Sequence, residues 1–212
     1  MKYAVLTNPQ LLTPEINQEI LELAKHFDKL KKNVYITGKT AVRPVSKIYD
    51  PEDSEGYKYF EDDQINGGDG FFAICPLPHE LEQRIYDRIP TALKIQDNVR
   101  IRLQVLQNFK LFPHVDKNRG VSLFTMISEN EVDCVFWNVT EPHEFRDGHL
   151  PNPELIQEQM RFRVSPGETW LFDHNEIHGT TESSDKLRIT INISYGKLTI
   201  ADMIKVLDER NI

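Results

Sequence analysis

Cysteine is nearly missing from this chain: 212 residues contain two, Cys75 and Cys134. Both stand in apolar runs, FFAIC and CVFW, where a buried free thiol is a better reading than a disulfide. There is no Cys-x-x-Cys pair and no Cys/His cluster, which excludes the usual structural zinc sites. A basic surplus is missing too. The 25 Lys and Arg are outnumbered by 33 Asp and Glu, giving a net charge of −8 and a pI near 5.4. That balance argues against a nucleic-acid-binding face while leaving room for a local basic pocket that holds a small anion. No apolar run approaches a membrane span, and the opening MKYAVLTNPQLLTPE lacks the apolar core of a signal peptide. Repeats and low-complexity tracts are absent. The expectation is a cytoplasmic, reducing setting with no membrane partner; oligomeric state is not legible.

What is present is a chain long enough for one domain with a real core. Thr13-Pro14-Glu15 is a strong helix start, with Thr as N-cap, Pro at the first position and an acid in the first turn. Ile16, Ile20, Leu23, Ala24, Phe27 and Leu30 continue it at helical spacing to Lys31. Apolar spacing predicts further helices over Leu81–Ile89 and Thr199–Glu209. Gly38–Gly70, broken by Arg43-Pro44, Asp50-Pro51 and GGDG, reads as a long loop, either a cover over the site or a surface excursion, with Arg43 and Tyr57 as candidate substrate contacts if it covers.

From Val99 the pattern turns to period two. Strands are expected over Val99–Val105, Phe109–His114, Val121–Ser128 and Val132–Trp137, the last two joined as a hairpin by Ser128-Glu129-Asn130-Glu131. Glu154–Gln159 reads as a helical turn; Met160–Val164, Thr169–Phe172 and Lys186–Tyr195 read as strands. Helices early and late around a strand-rich second half predict a mainly β protein with flanking helices, a barrel or sandwich. The division is 1–97, helices, short strands and a long loop packing on the core, and 98–212, the β core with its closing helix.

The chemistry gathers at two places. His114 and Asp116, two apart at a strand end, can point the same way. Downstream, His178 follows Trp170-Leu171-Phe172-Asp173, with His174 as its rival four residues earlier. Two imidazoles and a carboxylate form the facial set that holds iron(II) with open positions, and zinc accepts the same donors. Ten residues after His178, Arg188 heads the alternation Arg188, Thr190, Asn192, Ser194 against Ile189, Ile191, Ile193. An arginine beside a hydroxyl suits a carboxylate, because its planar fork donates two parallel hydrogen bonds.

His114-x-Asp116, His178 and Arg188-x-Thr190 together resemble the iron(II)/2-oxoglutarate-dependent dioxygenase superfamily. The Pro166-Gly167 turn and the Trp-Leu-Phe-Asp run more particularly resemble its aspartyl/asparaginyl β-hydroxylase and cis-proline-hydroxylase branch. The resemblance covers roughly Asn98–Tyr195. It implies a double-stranded β-helix (jelly roll) and iron(II) held by His114, Asp116 and His178. It also implies 2-oxoglutarate anchored by Arg188 and Thr190, with O2 as oxidant. The implied activity is hydroxylation of an unactivated C–H bond in a small polar molecule or an amino-acid or peptide side chain, coupled to decarboxylation of 2-oxoglutarate to succinate. Arg119, three residues past Asp116, is a further candidate for substrate contact. The alternative is a cupin-like metal-binding jelly roll, an isomerase or binding protein, without 2-oxoglutarate turnover.

Overall fold

A computed structural model describes residues 4–7, 11–31, 41–44, 56–61, 71–75, 77–94, 99–111, 113–116, 120–140, 155–196 and 198–208. Backbone alone is described at 5–6, 26–31, 41–44, 56–61, 71, 73–75 and 208. The N-terminal part comprises β1 (Ala4–Thr7), α1 (Pro14–Lys31), β2 (Ala41–Pro44), β3 (Gly56–Glu61), β4 (Phe71–Cys75), α2 (His79–Arg88) and α3 (Thr91–Lys94). There follow β5 (Arg100–Gln107), β6 (Val121–Met126), β7 (Cys134–Val139) and β8 (Ile156–Phe162). Last come β9 (Thr169–Asp173), β10 (Ile177–Thr180), β11 (Arg188–Tyr195) and α4 (Ile200–Asp208). Helix α1 starts where its cap predicts: Ile16 N–H donates to Thr13 Oγ1 at 3.3 Å.

The strands form two antiparallel sheets. One has eight strands in the order β1-β9-β6-β11-β5-β4-β3-β2, and the other three, β10-β7-β8. Strands next to one another in sequence thus fall in opposite sheets, β6 from β7 and β9 from β10, as in a jelly roll. The expected hairpin between β6 and β7 is therefore not formed. The Ser128–Asp133 connection crosses between sheets, fixed by Ile127 N–H on Ile189 O at 2.9 Å and by the Asn130 amide on Val132 O and Val164 O.

Three other expectations change. Of the helical turn expected over Glu154–Gln159, Glu154 lies outside the described residues and Ile156 onward is instead the strand β8, paired with β7. Its polar sequence suits an edge strand facing water along most of its length. The Gly38–Gly70 segment is not all loop. It contains β2 and β3, with Arg43 opposite Tyr57 in register, and it extends the large sheet beyond β4. The side chains of both residues lie outside the described part. Phe109–His114 is not a regular strand, since Asn108 takes a left-handed conformation (φ 50°) and ends β5 there.

Two cores hold the layers. On one face of the large sheet, Ile189, Ile191 and Ile193 pack with Ile16 and Ile20 of α1, Leu81 and Ile85 of α2, and Met203 and Leu207 of α4. The outer face of β11 is therefore covered by helices, and all eight of its residues are buried. Each fully buried Ile or Leu contributes about 1.5–3 kcal/mol. Between the sheets lies a smaller aromatic core, with Phe136 against Phe172 at 4.7 Å and Phe162 stacked on Trp170 at 4.2 Å between centroids. Among the described residues, no helix is long and apolar enough to cross a membrane.

Candidate metal and anion site

The site opens between the sheets, where the chain after β5 meets β10. Leu111 and Thr180 exchange contacts, Thr180 N–H to Leu111 O at 2.8 Å and Leu111 N–H to Thr180 Oγ1 at 2.9 Å. His114 and His178 then form an isolated antiparallel bridge. Asp116 N–H donates to His174 O at 3.0 Å, and His174 N–H to Gly120 O at 2.9 Å. This stitching sets Leu111 and 113–116 beside β10 and the turn before it, with a single bridge at His114. It also fixes where three side chains converge.

One potential ligand atom each from His114, Asp116 and His178 lies within 4.8 Å of the other two. The Nε2 atoms of both histidines stand 3.9 Å from the Asp116 carboxylate, one from each oxygen, and the two rings are 4.4 Å apart. The ring of His178 is set by its Nδ1, which donates to Glu176 O at 2.8 Å and leaves Nε2 free to bind. Burial first, then the neighbouring His114 and His174, holds the His178 pKa well below the usual histidine value. The ring is thus neutral at physiological pH, the form a metal ligand requires.

His174 is equally buried but is not part of this cluster. Its Nε2 lies 2.6 Å from Ser122 Oγ, and its Nδ1 stands 2.8 Å from Asp116 Oδ2. Asp173 closes the turn between β9 and β10 by accepting from Asn175 N–H at 3.0 Å.

Behind the cluster is a cavity that opens to solvent, with about 530 Å³ of empty space counting its open mouth. Its walls include Phe72, Leu111, Phe124 and Phe172, and its polar groups include Gln104, Arg188 and Asn192. Arg188, 7% exposed, lies over the Phe124 ring, with Nη2 3.2 Å from the thiol of Cys134. Its Nε has no partner, and among the described residues no carboxylate pairs with it. A buried cation with a thiol and a ring but, among the described residues, no carboxylate beside it is costly, and an anion in the cavity would remove that cost. Cys134 is a buried free thiol; the Cys75 side chain lies outside the described residues.

The structure thus brings His114, Asp116, His178 and Arg188 to one cavity. Thr190 is fully buried beside it, but its hydroxyl donates to Gln104 Oε1 at 3.4 Å, and it is not among the lining residues. Arg119 lies outside the described residues. Ser122, Gln104, Cys134 and Asn192 are site residues that the motif reading did not select. For Asn192 the signal was there, in the polar face of β11.

No family model matches the sequence, and no curated protein does. Solved structures with a similar course include the non-heme alpha ketoglutarate dependent epimerase SnoN from nogalamycin biosynthesis. It is 12% identical over 92% of this chain and 78% of its own, with a TM-score of 0.49. A collagen prolyl hydroxylase of Paramecium Bursaria Chlorella virus-1 is 12% identical over 91% and 95%, with a TM-score of 0.46. A prolyl-4-hydroxylase of Pseudomonas putida is 10% identical over 92% and 93%, with a TM-score of 0.45. Neighbours this distant assign no residue its role.

Proposed function

We propose that this chain is an iron(II)- and 2-oxoglutarate-dependent oxygenase that hydroxylates an unactivated C–H bond of a small polar molecule or an amino-acid or peptide side chain. The observation that carries the reading is one cavity with a two-histidine, one-carboxylate cluster at one end and a buried arginine within it that pairs with no carboxylate among the described residues. A metal alone would not require Arg188. A metal plus a small dicarboxylate accounts for both.

The donor set fits the metal. His114 and His178 offer neutral nitrogens, Asp116 a carboxylate, and a set of three leaves positions open. When bound, the iron supplies oxygen activation coupled to the oxidative decarboxylation of 2-oxoglutarate to succinate. The protein's own part is placement. Glu176 O keeps the proton of His178 on Nδ1, so Nε2 always presents its lone pair. Arg188 offers its guanidinium to the far carboxylate of the cosubstrate. Phe124, Phe172 and Leu111 line the cavity and limit water beside the reacting end.

The test is aerobic turnover with iron(II) and labelled 2-oxoglutarate. Slow succinate release is expected without added substrate, abolished in His178→Ala and requiring more 2-oxoglutarate in Arg188→Ala. No succinate from the wild type, together with metal binding indifferent to His178→Ala, would overturn the proposal.

A further inference from the structure

The cavity contains another buried donor. Asn192 is 1% exposed and lines the cavity, and its Nδ2 has no partner among the described residues. Its neighbour fixes which end of the amide is which. Ser194 Oγ lies 2.6 Å from Asn192 Oδ1, short for N–H···O and ordinary for O–H···O. The serine hydroxyl therefore donates to Oδ1, and the NH2 group is the end left for a ligand.

Strand register says where along the cavity this donor stands. Arg188 is opposite Leu106 and touches Cys134. Ser194 is opposite Ser122, whose hydroxyl meets His174 beside Asp116. Asn192 lies between them on the same face, about 13 Å of strand from Arg188 and toward the histidine cluster. Thr190, the residue between, is occupied by Gln104.

We infer that Asn192 is the second anchor of the cosubstrate, donating from Nδ2 to the carboxylate at its 2-oxo acid end, while Arg188 grips the far carboxylate. The inference rests on the oxygenase reading, because it requires a ligand that is acidic at both ends. It adds a donor at the 2-oxo acid end, apart from the Thr190 hydroxyl, which donates to Gln104. It also makes selectivity for a dicarboxylic 2-oxo acid the joint work of two residues on one strand.

The test titrates manganese(II)-loaded protein with 2-oxoglutarate and with 2-oxobutanoate, which has the same 2-oxo acid end but no second carboxylate. Asn192→Ala and Asn192→Asp are expected to weaken both ligands about tenfold or more, since each loses a donor to a charged group. Arg188→Ala is expected to weaken 2-oxoglutarate alone. Asn192→Asp keeps side-chain shape and the acceptor for Ser194, and an unfolding midpoint near the wild type's reports an intact fold. If folded Asn192→Asp binds 2-oxoglutarate as tightly as the wild type, the inference falls and the oxygenase reading stands. It also falls if only 2-oxoglutarate, and not 2-oxobutanoate, is weakened. A wild-type protein that binds no 2-oxoglutarate overturns both.

Discussion

His114 and His178 exchange two backbone hydrogen bonds, His114 N–H to His178 O at 3.0 Å and His178 N–H to His114 O at 2.9 Å. The two histidines are thus a paired step of a ladder, and their rings leave it side by side, 4.4 Å apart between centroids. Residues directly opposite in antiparallel chains have their side chains side by side on one face, within contact distance. The site is built into the sheet.

That relationship separates two neighbouring histidines. His178→Ala is expected to abolish binding of cobalt(II) or manganese(II), measured by equilibrium dialysis. His174→Ala should keep the ligands and lower affinity roughly tenfold, because Asp116 loses a neighbour that helps place it. The reverse result would assign the ligand to His174.

Arg188 carries a burial cost in the ligand-free protein. Arg188→Met is expected to raise the unfolding midpoint of that form by a few degrees, as about 1 kcal/mol moves it roughly 2–4 °C in a chain of this size. The same variant should lose the stabilisation that 2-oxoglutarate gives the wild type. A Met variant less stable than the wild type would mean that the guanidinium is already satisfied.

Gly120 joins the metal end to the closing helix. A Cβ there would sit 2.8 Å from Leu198 O and 3.0 Å from Tyr195 O, both backbone atoms with little freedom to move. Gly120→Ala should cost about 1–3 kcal/mol by calorimetry or denaturant titration. It should also weaken metal binding, since Gly120 O receives His174 N–H. Gly196→Ala, with nothing within 4 Å of the new atom, is expected to change stability by less than about 0.5 kcal/mol.

Glu176 gives a pH signature. Burial, then the nearby Asp173, raises its carboxyl pKa above the ordinary value. A group whose folded pKa is raised favours the fold when protonated, and that advantage is lost as pH rises from the unfolded pKa through the folded one. Glu176→Gln should therefore be slightly more stable than the wild type at neutral pH, the gap closing as pH falls into the carboxyl range. Unfolding midpoints across pH measure it; a gap that widens toward acid would contradict the sign.

Local physics was enough for much of this protein. Thr13-Pro14-Glu15 and the apolar spacing after it set α1, because capping and helical periodicity act within a few residues. Alternation on β11 put Arg188, Thr190, Asn192 and Ser194 on one face, since side chains of a strand alternate whatever it pairs with. Pairing and reach are not local. β6 and β7 look like a hairpin until they separate into two sheets, and Ile156–Phe162 becomes a strand only because β7 supplies its partner. The bridge that sets His178 against His114, and the hydrogen bond that turns the Thr190 hydroxyl to Gln104 on the next strand, are pairings between distant segments. The sequence by itself determined the strand face and the types of donor side chain it carries. Only the tertiary structure, which brings distant backbone segments into register, decided which side chains reach the cavity.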